Sequence, residues 1–136
     1  MKGNTHLSYI EILIMVVVLG LVARTMVPQF AEAGVEKKIT RLVDCLEVMR
    51  ANIDLYRAHH RNCLPPCHSF KSFKTAMTKQ VGRYGPYVRA IPINPFNGLK
   101  TVRFDGEVAG CGKAGWRFDS KTGLFQADHD AAYSGL

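Results

Sequence analysis

One stretch limits this chain more than any other: Leu7 to Phe30, LSYIEILIMVVVLGLVARTMVPQF. From Ile12 to Ala23 only Gly20 interrupts the large apolar side chains. Counted outward to Leu7 and Val27 the run is long enough, as a helix, to span roughly 30 Å, the thickness of a bilayer's hydrocarbon core. A carboxylate inside such a run is costly in lipid, so Glu11 needs a partner or a purpose. Pro28 donates no backbone hydrogen bond and clashes with the carbonyl of Arg24, so a bend is expected there, with Gly20 as a second weak point. Arg24 can snorkel to headgroups while its stem stays in the apolar layer.

These residues together resemble the amino terminus shared by type IV pilins and type II secretion pseudopilins. Leu7, Ser8, Tyr9, Ile10 and Glu11 stand where such proteins read Phe-Thr-Leu-Ile-Glu, and Gly20 and Pro28 follow in register. Two positions depart from the pattern. His6 replaces the usual glycine, and Arg24 replaces a small or apolar residue. The resemblance implies a leader, residues 1–6, cut by a prepilin peptidase between His6 and Leu7, and N-methylation of Leu7. It implies that Glu11 neutralises the new amine on an adjacent subunit, and that Gly20 and Pro28 let the helix straighten or melt during assembly. The simpler reading of Glu11 is an anion near a helix start, where the dipole favours it.

Val35, Ile39, Leu42, Leu46, Met49, Ile53 and Tyr56 continue the pattern as a narrow apolar stripe at helical spacing, with charges on the other faces. One helix from about Ser8 to His59 is expected, ended by Pro65 and Pro66. Phe70, Phe73, Met77 and Val81 predict a second, short helix stopped by Gly82. A proline-rich loop follows, expected to bury Tyr84, Tyr87, Ile91, Ile93 and Phe96. Strand candidates are Thr101 to Phe104, Gly115 to Asp119 and Leu124 to Ala127, joined by a flexible 105–114 and a tight turn at Asp119 to Gly123. Parity puts Trp116 and Phe118 on one face, with Phe125 a further core candidate. The fold class is α+β: a long N-terminal helix, its first half in the membrane, packed on a small antiparallel sheet, as in pilins. The domains are 1–6 leader, 7–30 apolar helix and 31–136 head.

The cysteines, Cys45, Cys63, Cys67 and Cys111, make an even count in a head that the resemblance places outside the cytoplasm, where disulfides are permitted. An unbroken helix separates Cys45 from Cys63 by roughly 20 Å or more, beyond disulfide reach. Cys63–Cys67 with Cys45–Cys111 is preferred, the crossed pairing is open, and free thiols are a third outcome. Cys63 and Cys67 with His59 or His68 also invite a zinc reading, against which stand the compartment and the lack of a second matched pair. Asp128 and Asp130 are calcium-type oxygen ligands, in a region where related major pseudopilins hold calcium, but no ligand-spaced loop accompanies them. A charged, mobile tail is the plainer expectation.

The formal charge is +7, from 18 Lys and Arg against 11 Asp and Glu, without a basic run. The aromatic and basic loop could stack on single-stranded nucleic acid, but packing is the expected role of its tyrosines, and nucleic acid is not an expected partner. No phosphate loop, serine elbow or paired zinc-binding histidines occur in the sequence, so no enzyme and no resident cofactor is expected.

The resemblance therefore implies a pseudopilin, the major fibre-forming type, in a bacterial inner membrane with its head in the periplasm. Its implied partners are other copies, other pseudopilins, the prepilin peptidase, the inner-membrane secretion platform and membrane lipid. Two alternatives share the amino terminus: an adhesive or DNA-binding type IV pilin, and a non-polymerising single-span membrane protein.

Overall fold

The computed structural model describes residues 8–136, with no side chains described for 24–32. Helix α1 runs Tyr9–His59, 51 residues without interruption at Gly20 or Pro28. Helix α2 is Phe70–Thr78, and the strands are β1 (Val102–Phe104), β2 (Trp116–Phe118) and β3 (Phe125–Ala127). A 3-10 turn at Ala131–Tyr133 closes the chain. The chain divides into two compact units, Met1–Lys37 and Lys38–Leu136, a division further along the helix than residue 30.

Within the second unit the core forms where the helical stripe meets the strands. Leu42, Leu46, Met49, Ile53 and Tyr56 of α1, Phe73 and Met77 of α2, and Trp116, Phe118 and Phe125 of the sheet are all buried. The stripe recurs every three or four residues, so one face of α1 collects all five of its apolar side chains. Strand parity works the same way: Trp116 and Phe118 are buried while Arg117 between them is half-exposed. The Trp116 indole N–H, which would be costly to bury unpaired, donates to the carbonyl of Pro92 at 2.8 Å.

The sheet is mixed, not antiparallel as expected. β1 and β2 run parallel, Val102 opposite Trp116, whereas β2 and β3 are antiparallel, Phe118 opposite Phe125. The 105–115 connection is long enough to permit this, since it can carry the chain back to the starting edge rather than fold it over as a hairpin. Arg103 gathers that connection by donating to the carbonyls of Asp105 at 2.6 Å, Glu107 at 2.9 Å and Val108 at 3.2 Å. The Asp119 turn does form: its carboxylate accepts from the amides of Lys121 and Thr122, and Gly123 follows at φ +78°.

α1 ends at His59 as expected, but it is closed before the prolines are reached: Arg61 and Asn62 adopt left-handed backbone and the Asn62 amide returns to the carbonyl of Arg57 at 2.7 Å. Two other local expectations are corrected. α2 ends at Thr78, leaving Val81 exposed beyond it. In the proline-rich loop Ile91 is buried, but Tyr84 and Ile93 are exposed, and Val88 and Asn94 take the interior positions.

Candidate functional site

The first half of α1 is unlike the rest of the chain. From Ser8 to Ala23 every side chain is exposed, including Leu19 and Leu21 at more than 60%. Glu11 lies in the first turn, its amide donating to the Ser8 carbonyl at 2.9 Å, a position where the helix dipole favours an anion. Among the described residues a Cβ at Gly20 would meet nothing within 4 Å. His6 and Leu7 lie outside the described residues, as does the side chain of Pro28. Among the described residues no helix is long and apolar enough to cross a membrane. Tyr9 to Ala23 alone would cover only about 22 Å; Leu7, at one end of the apolar run, and the side chains of 24–27, at the other, are not described.

The four cysteines are free thiols, and neither disulfide scheme is formed. Cys45 packs at the edge of the core, where burial pushes its thiol above the ordinary value despite the charge of Arg41. Cys67 also turns to the core, while Cys63 is exposed. Cys111 sits instead on Asp128, its sulfur 3.5 and 3.6 Å from the two carboxylate oxygens. No group of three metal-ligating side chains occurs among the described residues, for zinc or for calcium.

Asp128 belongs to no mobile tail. It is fully buried, and its carboxylate is held by Arg103 through Nη2 at 2.7 Å and Nε at 3.2 Å. The amides of Gly110 and Ala114 donate to the remaining lone pairs at 3.1 and 3.2 Å. Burial pushes this carboxyl up, but the Arg103 hydrogen bonds, the Gly110 amide and the Arg103 charge outweigh it and hold the group below its usual value. The carboxylate and carbonyl oxygens around Arg103 are the kind calcium would need, and the guanidinium fills the place between them. Asp130 is separate from this set; it caps the final turn, accepting from the Ala132 amide at 2.9 Å. The loop approaches so closely that a Cβ at Gly110, already at φ +96°, would overlap the backbone of Ala131.

A second cluster was not foreseen. His59, His60, Tyr56, Tyr84 and Tyr87 form one aromatic group at the end of α1. His60 stacks on Tyr56 at 4.0 Å, His59 stacks on Tyr84 at 4.5 Å, and the Tyr87 hydroxyl lies 3.2 Å from His59 Nδ1. Beside it opens a largely apolar cleft of about 450 Å3, bordered by Tyr56, His60, Tyr84 and Tyr87 on one side and Lys71, Ser72 and Thr75 of α2 on the other. The sequence signal was available: no Asp or Glu occurs between Asp54 and Asp105, a stretch that carries nine Lys and Arg.

Comparison with family models finds no match, and no curated protein and no solved structure is significantly similar to the chain.

Proposed function

We propose that this protein is a pilin-like structural subunit, of the pseudopilin type, which assembles through the first half of α1 into a fibre served by a type II secretion apparatus. The observation that carries the reading is the exposed apolar half of α1 with its single carboxylate, Glu11. Fifteen or so apolar residues left in water would be costly, at about 25 cal/mol per Å2 of apolar surface. Lipid before assembly, and neighbouring helices after it, are the two environments that remove the cost. In this scheme the run from Leu7 to Val27 is stored in the inner membrane, the head from Lys38 onward faces the periplasm, and Glu11 pairs with the freed amine of Leu7 on the next subunit. Within a fibre's low dielectric an opposite charge at hydrogen-bonding distance is the cheapest way to keep that carboxylate ionised.

The test is the intact mass and amino-terminal sequence of the protein recovered from membranes of cells that express its native leader peptidase. A chain beginning at methylated Leu7 is expected, and fibres that form with Glu11 are expected to be lost with Glu11→Ala. A chain that begins at Met1 and stays monomeric would sink the reading.

A further inference from the structure

We propose that the aromatic cleft of the head is a binding site for single-stranded nucleic acid, in which an unstacked base enters against Tyr84 and Tyr87 and the flanking phosphates meet Lys71, Lys74 and Arg83. This goes beyond fibre assembly and does not depend on it, since every residue concerned lies in the Lys38–Leu136 unit.

Charge is the first support. Arg57 pairs with Asp54 and Arg103 with Asp128, which neutralises two of the nine cations in the acid-free stretch. Among the described residues no carboxylate pairs with Lys71, Lys74, Lys79 or Arg83; Lys71 lines the cleft, and the other three belong to the elements that border it, Lys74 on α2, Lys79 at its C-terminal cap and Arg83 in the turn that carries Tyr84. An uncompensated group of cations around a concavity attracts a polyanion.

The cleft selects among polyanions. Its volume falls within the roughly 300–1,000 Å3 of small-ligand pockets, and its walls are mainly apolar. A carboxylate from an acidic peptide would lose its hydration there and find only Lys71 on the lining. A nucleobase instead brings a flat apolar body with polar edges, and aromatic rings bind any base through its π-face. Tyr84 is 40% exposed and is already held in orientation by the His59 stack, so its ring is presented without an ordering cost on binding. At His60, Nδ1 donates to the Tyr56 carbonyl at 2.9 Å, so the ring edge that carries Nε2 is left to meet the polar edge of an entering base. In a duplex the bases are stacked and paired and cannot enter.

The experiment uses the full chain in detergent micelles and fluorescence anisotropy of a dye-labelled oligothymidylate, with a duplex of equal length and labelled polyglutamate as separate probes. The single strand is expected to bind best. With about three phosphates engaged, its affinity should fall by roughly 15- to 20-fold between 50 and 200 mM salt. Tyr84→Ala should weaken it at least about 5-fold, while Tyr84→Phe, which keeps the ring, should not. Lys71→Glu should weaken binding and flatten the salt dependence. Failure to bind at low salt overturns the site. So does binding of duplex or polyglutamate as tight as that of the single strand, or indifference to Tyr84→Ala; polyglutamate binding would assign the cations to an acidic protein partner.

Discussion

Asp128 carries a charge with no access to water, and Arg103 makes that possible. The two side chains meet in a bidentate pair while two loop amides take the carboxylate's other lone pairs. Breaking such a pair from one side leaves an uncompensated buried charge. Arg103→Ala is therefore expected to cost about 3–5 kcal/mol, read as a drop in the urea midpoint with an unchanged slope. Because Asp128 is held below its ordinary value, its contribution is fully present above about pH 4 and is lost as pH falls through the folded value. His129 adds a step at higher pH. Its Nδ1 faces the amide nitrogen of Asn94 at 3.1 Å, so it must accept, and Nε2 is buried with no hydrogen-bond partner among the described residues. Burial pushes this imidazole down, and the nearby carboxylates of Asp130 and Asp128 only partly oppose that. The unfolded chain then takes up the proton first, so this stability is present above about pH 6.5 and lost as pH falls. The melting temperature is expected to decline between pH 7 and 5, and His129→Gln should flatten that decline.

At the scale of elements, the proline-rich loop owes its order to one amide more than to its aromatics. Asn94 is fully buried, its side chain donating to the Gly115 carbonyl at 2.8 Å and accepting from the Phe96 amide at 2.9 Å. Asn97 ties the same loop to the Ala114 carbonyl at 2.9 Å. Phe96, His129 and Tyr133 pack mutually, with ring centroids 4.5, 4.9 and 5.2 Å apart, so the loop and the final turn share one aromatic cluster. Asn94→Ala would orphan buried groups at about 1–3 kcal/mol each. The expected result is a less stable head in which amide exchange rises in residues 92–100 before it rises in α2. Composition alone could not have found this residue. A run of apolar side chains suggested burial of Tyr84 and Ile93, but a loop without a period has no inward face until it is laid down, and the polar Asn94 is the group with enough partners to go inside.

At the scale of the whole molecule, the second unit is built on one core, shared by α1, α2 and the sheet. Leu46→Ala, at a fully buried position on the α1 stripe, is expected to cost about 2–5 kcal/mol. Tryptophan fluorescence from Trp116 and far-ultraviolet dichroism of the head should shift together, since one core implies one transition. The long helix, the stripe from Leu42 to Tyr56 and the inward parity of Trp116 and Phe118 were all legible from residue order. So was the exposed apolar half of α1, on which the proposed assembly role rests. Helical and strand periods are local properties, set by backbone geometry over a few residues, and they survive whatever the chain does elsewhere. What only tertiary structure decided is long-range: the parallel pairing of β1 with β2, the free thiols, the meeting of Arg103 with Asp128, and the aromatic cleft. Each depends on how a loop closes, and the same turn-forming residues in 105–115 are compatible with either strand direction until the Arg103 contacts and the core select one.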